Sequence, residues 1–536
     1  MKTIIQLLMI ALVLGTLSCI QPDHMRGFQP VFQEMSDTTI EAPKRIETNP
    51  PVLLPANSNK IDLSIEQSVM FALHHNQELQ IQQLQPVITG TFEQIERGIY
   101  DPEWFANAFY LDNREEKLST DTQKMDITDE REIGLSVGIR QSLPSGTKIE
   151  MAMEKNRSSE NNDPETHKTR IGLNITQSLL KGYGSYVHLA SVKIAELDTV
   201  ATEFELSEFT QSLVAETEIA YWQYVLAKQK IKIFKQSLAI AKQQRNEIEQ
   251  QISIGILPEN EAAAARAEVA LREQALINVS SIMETARLNL LKLIGSDPEC
   301  HFDIVINPIS QPDITAQPIT DIKDRLKLAE KLRPDLNEAR LRLKQNRLEI
   351  IITRNGILPK LDLFINFGRT GYADSFSDSF KNIDNLTYDF TAGFEFRHFL
   401  GNRESNSKHN AAKLKRQQAI NAISNLKKIV HFDIRQAINE LEHARKQISA
   451  TRMTLMYQKQ TAKAEKARFN VGATTALMVS QAYRDLLAAR NSEIEAIINY
   501  RIAMIKLYIA EGSLLERRGL KLLRNGRKIS SPIPGT

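Results

Sequence analysis

The chain has 536 residues, and its 67 basic and 65 acidic side chains leave a formal net charge of +2. Because the basic and acidic residues nearly balance, the charge indicates neither a nucleic-acid partner nor an acidic substrate. Two cysteines, Cys19 and Cys300, are too few for a disulfide framework.

The N-terminus has the pattern of an export signal. Lys2 supplies its positive region, and residues 4–17 supply its apolar core. We predict that residues 1–18 are a signal peptide and that Cys19, placed at the cleavage point, is lipidated. The alternative is an ordinary signal peptide in which this cysteine is incidental.

Proline and polar residues dominate the segment after the signal. Residues 19–60 carry six prolines, which predicts an extended linker that tethers the fold to its anchor. After residue 17, no run approaches the roughly 20 apolar residues of a membrane-spanning helix. Any later crossing of a membrane must therefore be made by strands.

Two long helices are the main feature of the rest of the chain. Residues 185–254 contain neither glycine nor proline, and their apolar residues recur every three or four positions, which predicts an amphipathic helix of about 105 Å. Residues 402–471 repeat the pattern. The two runs break at Gly255 and Gly472, which are 217 residues apart, and a shorter helical run follows each break. Two copies of one helical hairpin make an internal repeat.

The repeat divides the chain into two halves of one architecture. A helix is expected to begin near Ile61 with Ser64 as its cap. Pro86 and Gly90 are expected to kink or divide that helix. The predicted segments are a first half at 61–307 with its long hairpin at 183–294, a connector at 308–320, a second half at 321–515 with its long hairpin at 402–511, and a basic tail at 516–536.

Segments with alternating apolar and polar residues lie between the helices of both halves. They predict antiparallel strands, four within residues 103–178 and two within residues 359–398. A half-buried sheet in a soluble protein is the ordinary interpretation. Export, and strands of about ten residues separated by polar loops, favour a membrane β-barrel instead. Long polar loops are expected on the outer side, at residues 112–131, 157–167 and 370–385.

So few strands cannot close a barrel within one chain. An open sheet edge in lipid leaves backbone groups without hydrogen-bond partners, which is prohibitively costly. The sequence therefore predicts that several chains share one barrel.

Several short motifs in the two halves are specific in combination. They are Arg333-Pro334-Asp335-Leu336, the strand led by Pro359, the segment 177–182 that leaves a strand, and the segment 467–472 before the second hairpin turn. Together they resemble the TolC family of outer-membrane efflux proteins, lipid-anchored branch included. The resemblance implies a mainly α protein with a membrane β-barrel part, in which a homotrimer shares one barrel above an α-helical tunnel. The family usually has two strands in each half, so four in the first half is a departure.

The resemblance also assigns a role to the two hairpin turns, here called the tips. It implies that the tips bind a periplasmic adaptor protein and close the tunnel entrance; the alternative is that they are helix turns and nothing more. The residues concerned are Gly255, Ile256, Leu257, Pro258, Gly472, Ala473, Thr474 and Thr475. The implied partners are this adaptor, an inner-membrane pump and outer membrane lipid.

No catalytic constellation stands out in the sequence. His74 and His75 are adjacent and point to different faces of a helix, which suits neither a metal nor a catalytic pair. We therefore expect no enzyme activity, no cofactor and no metal site. The predicted function is passive export from the periplasm to the exterior, in a tripartite efflux or type I secretion system. A structural coiled-coil lipoprotein or a periplasmic adaptor would explain the helices and the anchor, but not the alternating segments.

Overall fold

The computed structural model describes residues 60–118, 125–160, 165–295, 303–312, 321–384 and 387–520. Cys19, the signal peptide and nearly all of the linker predicted above lie outside these residues. The helices are α1 (Ile65–His75), α2 (Gln77–Gly98), α3 (Ser185–Ser253), α4 (Asn260–Leu293), α5 (Ile322–Leu332), α6 (Pro334–Gly356), α7 (Phe376–Lys381), α8 (Arg403–Asn470), α9 (Ala476–Ala510) and α10 (Leu514–Arg517). The strands are β1 (Lys60–Leu63), β2 (Glu103–Leu118), β3 (Met125–Ser142), β4 (Thr147–Glu160), β5 (Thr166–Ser178), β6 (Val305–Pro308), β7 (Lys360–Ala373) and β8 (Tyr388–Arg397).

The first helix begins at a capping box. The Ser64 hydroxyl accepts a hydrogen bond from the Gln67 amide at 3.1 Å, and the Gln67 side chain accepts one from the Ser64 amide at 2.9 Å. The helix is expected to begin near Ile61, but this residue is not helical. It lies in β1, which pairs in parallel with β6. Ile61 and Leu63 are both buried, and this period of two marks a strand.

The helix break lies at Asn76 and not at Pro86 or Gly90. The Asn76 side chain accepts a hydrogen bond from the Leu79 amide at 3.0 Å, so that it ends α1 and caps α2. Helix α2 then continues through Pro86. A side chain that caps the start of one helix prevents the preceding helix from continuing. The hydrogen bond between Asn76 and Leu79 therefore sets the boundary between α1 and α2.

The two long hairpins are formed by α3 with α4 and by α8 with α9. Helix α3 has 69 residues and α8 has 68, so each is about 100 Å long. A buried cluster around the middle of α3 joins this helix to the two-stranded sheet of β1 and β6. There the Tyr221 hydroxyl donates to the Leu63 carbonyl at 3.0 Å, and the Tyr224 hydroxyl donates to the Ile306 carbonyl at 2.7 Å.

The large sheet is antiparallel, with its strands in the order β2-β3-β4-β5-β7-β8. The segments with alternating apolar and polar residues are strands, as predicted. The expected outer loops are shorter than predicted, because residues 112–118 pair with residues 125–131 as a continuation of β2 and β3. Within the expected loop 370–385, residues 370–373 still belong to β7, and α7 follows.

The described part of the predicted basic tail is not a free end. Arg518 donates two hydrogen bonds of 2.6 Å to the carboxylate of Glu218, which is fully buried in α3. Burial raises the pKa of the Glu218 carboxyl, and the Arg518 guanidinium opposes that rise. Arg517 pairs with buried Glu511 at 3.2 Å. Arg517 and Arg518 of the predicted tail are therefore bound to the helices, and residues 521–536 lie outside the described part.

Candidate functional site

The large sheet has two unlike faces. On the first, called the apolar face, one cross-strand row is apolar from edge to edge: Trp104, Ile139, Met151, Leu173, Phe367 and Phe390. On the other, called the polar face, the parallel row reads Glu103, Arg140, Glu150, Asn174, Asn366 and Thr391. A sheet with this alternation suits lipid on one side and water on the other.

Aromatic side chains border the apolar face at both ends of the strands. Trp104 and Phe396 mark the end next to the helices, where they are 69% and 66% exposed. Tyr110 and Tyr388 mark the opposite end at 64% and 66%. Aromatic girdles of this kind lie at the two water interfaces of membrane strands.

Glycines on the polar face give room to the rings directly opposite them. Phe109 pairs with Gly134 in the register, and a Cβ at Gly134 would overlap its ring. Phe364 pairs with Gly393, where a Cβ would lie 2.7 Å from the ring. These rings therefore lie flat along the sheet instead of projecting from it.

An arginine on the polar face ties the two halves of the chain together. Arg170 of β5 crosses β7 and donates to both carboxylate oxygens of Asp389 in β8, at 3.1 and 2.7 Å. Glu154 lies 3.6 Å from its other side. A Cβ at Gly368 would lie 2.7 Å from the guanidinium, so glycine there lets the arginine cross.

A polar cavity of about 640 Å³ lies on the polar face, at the end of the sheet next to the helices. Its lining includes Glu103, Arg140, Glu150, Asp362 and Glu395. Arg140 and Glu103 form a pair with two contacts of 2.8 Å. The polar face of the sheet is therefore charged where it meets the helices.

The structure brings the two tips together. Gly255, Ile256, Leu257 and Pro258 connect α3 to α4, and Gly472, Ala473, Thr474 and Thr475 connect α8 to α9. Both glycines have positive φ, 80° and 75°, as turns between antiparallel helices require. An apolar tip cluster packs residues of both hairpins against each other: Ile248, Ile252, Leu257, Ala265, Phe469 and Ala476. Ile256 stays outside it and is 66% exposed.

Ion pairs that the sequence does not predict join the two hairpins near the tips. Lys466 of α8 pairs with Glu247 of α3, and this hydrogen bond lowers the pKa of the Glu247 carboxyl. Glu268 of α4 pairs with Arg272 at 2.6 Å and lies 3.7 Å from Arg484 of α9. Charged residues are common along these helices, so no local pattern marks these particular ones as partners.

In the part of the chain that the structure describes, none of the helices has the length and apolar composition of a membrane-spanning segment.

Comparisons with solved structures give the same architecture. The outer membrane protein VceC from the bacterial pathogen Vibrio cholerae is 15% identical, with a TM-score of 0.62, over 84% of this chain and 96% of that one. The Campylobacter jejuni CmeC outer membrane channel is 17% identical, with a TM-score of 0.60, over 84% and 85%. The Neisseria gonorrhoeae MtrE outer membrane channel is 18% identical, with a TM-score of 0.59, over 84% and 89%. No curated protein sequence matches the chain.

A family-level match covers most of the two halves. The family model described as outer membrane efflux protein matches residues 143–296 and 326–513, which is more than half of the chain. These residues include β4, β5, β7 and β8, both long hairpins and both tips. The protein therefore belongs to the outer membrane efflux protein family, a family of export conduits and not of enzymes, and is an outer-membrane export channel.

Proposed function

We propose that the chain works as a homotrimer that gives substrates a passive path from the periplasm to the exterior, in a tripartite efflux or type I secretion system. The observation that carries the proposal is the two-faced sheet of six strands, in which β2 and β8 are edges. An edge in lipid would leave a row of backbone groups without partners. Pairing between the β8 of one copy and the β2 of the next removes every edge.

Three copies suit the geometry. Six strands from each of three chains make a barrel of 18, a size that leaves an aqueous channel inside. The resemblance to the TolC family implies the same number of chains. The polar face, with its charged cavity, then lines the water-filled interior, and the apolar face contacts lipid.

An exposed apolar stripe on α2 supports assembly. Its residues recur every three or four positions and are between 49% and 61% exposed: Ile81, Leu84, Ile88, Phe92 and Ile95. Helical side chains at this spacing share one face. In the trimer this face packs against the neighbouring copy, which takes it out of water.

The tips and the N-terminus supply the remaining contacts. Helices α3 and α8 place the tips about 100 Å from the sheet, deep in the periplasm. The exposed Ile256 and the residues around Gly472 there bind the periplasmic adaptor, and an inner-membrane pump supplies the energy. Lipid on Cys19 anchors the linker in the outer membrane.

Native mass measurement of the purified chain in detergent tests the assembly. We expect three chains that conduct ions when placed in a bilayer. A monomer that conducts would contradict the proposal. Trypsin on intact cells separates it from a coiled-coil lipoprotein or an adaptor, because only a channel presents Lys381, in the connection between β7 and β8, outside the cell.

Mass spectrometry of the mature N-terminus tests the anchor. We expect a lipid-modified residue at Cys19. A mature chain that begins beyond Cys19, or at an unmodified cysteine, would show that the anchor is absent while leaving the channel in place.

A further inference from the structure

Helix α7 lies against the apolar face of the sheet and not over its polar side. Beneath it runs the cross-strand row Lys155, Thr169 and Gly371, which continues the apolar face toward the outer end of the strands. The hydroxyls of Thr169 and Ser379 are 2.8 Å apart, and both residues are fully buried. A helix held in this way lies on the outside of the channel wall.

Glycine at position 371 allows this close approach. A Cβ there would overlap the Ser379 carbonyl oxygen and would lie 2.8 Å from the Ile383 amide nitrogen. Asn382 also donates to the Tyr372 carbonyl at 3.0 Å. The connection between β7 and β8 is therefore fixed to the wall by its backbone, and a larger residue at 371 would displace it.

The helix presents two phenylalanines beside the apolar face. Phe376 and Phe380 are four residues apart and so share one side of the helix. They are 63% and 52% exposed, although each is large and apolar. Ser377, Asp378 and Lys381 occupy the rest of its exposed surface. A short amphipathic helix at the border of a lipid-facing surface suits the boundary between acyl chains and headgroups.

Two basic side chains lie on the apolar face close to α7. Lys155 Nζ lies 2.9 Å from the centroid of the Phe376 ring and donates to the Phe376 carbonyl at 3.2 Å, which uses one of its three donors. Arg369 is exposed on the same face, between Ile171 and Tyr388 in the register. Long basic side chains at this depth extend toward lipid phosphates while their stems stay in apolar surroundings.

We propose that α7, with Lys155 and Arg369, is a binding site for phosphate-bearing lipid of the outer leaflet. Phe376 and Phe380 enter the upper acyl region, and the two cations contact the headgroup phosphate. Lipid is the occupant that fits, because the site continues the lipid-facing surface and its charge is complementary to phosphate. The inference rests on the proposed function, because it needs the apolar face to lie in the membrane.

Tryptophan placed on the helix tests its depth. In the full-length oligomer, reconstituted in phosphatidylcholine vesicles, Phe376→Trp and Phe380→Trp add emission to that of the parent. We expect lipids brominated near the headgroup to quench this added emission. Tyr372→Trp is the matched control, because residue 372 lies on the polar face and is 55% exposed, so its added emission should persist. No quenching at 376 and 380 would overturn the proposal.

Lipid titration followed by native mass spectrometry tests the cations. Removal of one positive charge at the membrane surface by Lys155→Gln should weaken phosphatidylglycerol binding about fivefold. Lys148→Gln is the matched control, since Lys148 lies on the same strand but on the polar face. Equal binding by the two variants, or full competition by inorganic phosphate, would overturn the proposal. A conducting trimer with no lipid preference would refute this site and leave the export function standing.

Discussion

The two halves of the chain share one packing arrangement but build it from different residues. In each half, the glycine that ends the long hairpin fits against the break between the two short helices. A Cβ at Gly295 would lie 2.5 Å from the His75 carbonyl carbon, and a Cβ at Gly512 would lie 3.0 Å from the Arg333 amide nitrogen. Both glycines have positive φ, 70° and 69°. The break and its glycine partner are therefore common to the two halves.

The residue that fixes the break is not shared. In the first half Asn76 caps α2 and donates to the Leu293 carbonyl at 3.2 Å. In the second half Arg333 occupies the matching place and pairs with Asp335 at 2.6 Å and with Asp433 of α8 at 2.9 Å. An uncharged amide and an ion-paired guanidinium thus hold equivalent junctions, which shows that the geometry of the junction constrains the fold more than its chemistry does.

The sheets of the two halves differ more than the helices. The first half contributes β2 to β5 and the second only β7 and β8. The turn between β3 and β4 is bound to the start of α3, where the Gly184 amide donates to the Ser145 carbonyl at 3.2 Å. Helices that pack against one another tolerate little change in length, whereas an antiparallel sheet accepts another hairpin because each strand pairs only with its neighbours.

The largest expected effect comes from the junction glycines. Gly295→Ala should destabilise the protein by about 2–4 kcal/mol, because positive φ and a rigid backbone contact act together. Gly512→Ala should cost less, about 1–2 kcal/mol, since its closest contacts are longer. Denaturant unfolding of the detergent-solubilised protein measures both. Gly356→Ala in α6 is the control, because a Cβ there meets no described atom within 4 Å. Equal losses at 295 and 512 would mean that the two junctions are packed alike.

Substitution of the tip glycines should impair export and adaptor binding but not formation of the trimer. A Cβ at Gly472 or Gly255 meets no described atom within 4 Å, so Gly472→Val and Gly255→Val impose only backbone strain, about 1 kcal/mol or somewhat more. We expect normal trimer on a gel but weaker cross-linking to the adaptor and failure of export. Gly472→Val should be more severe, because the second turn, 471–475, is one residue shorter than the first. Unchanged cross-linking and export in a normal trimer would show that the tips are only turns.

The smallest effect should be the pH dependence of the contact between the hairpins. The pKa of Glu247 is lowered mainly by its hydrogen bond from Lys466, so the pair stabilises the tips fully above the ordinary glutamate pKa. That contribution is lost as the pH falls through the lowered value. Both side chains are about one-third exposed, which limits it to below about 1 kcal/mol.

Amide hydrogen exchange at the tips, followed from neutral to acidic pH, measures this contribution. Lys466→Gln should abolish the acid-dependent part. Lys459→Gln should not, because Lys459 is an exposed lysine about two turns away on α8. Identical pH profiles in parent and Lys466→Gln would show that the pair contributes nothing measurable.

Local patterns made much of this fold predictable. Residue periodicity identified the helices and strands, and glycine marked both tips, because these signals lie within a few neighbouring residues. Contacts between segments that are distant in the chain have no local sequence pattern that would predict them. The parallel pairing of Lys60 with Val305, the Arg518–Glu218 pair and the packing of α7 on Thr169 each join residues more than 200 positions apart. For the same reason the tip residues were predicted, but not the ion pairs that join the hairpins.

The two additional strands of the first half have a consequence for the circumference of the exit. Strands about 4.8 Å apart and tilted by about 40° each occupy roughly 6 Å of perimeter, so the pair adds about 12 Å for each chain. In the proposed trimer, 18 strands enclose a ring about 36 Å across between backbones, whereas 12 would enclose about 24 Å. The long hairpins are the same in number with or without the added pair. The diameter of the exit and the diameter of the tunnel are therefore set by separate parts of the chain, and a change in strand number widens one without altering the other.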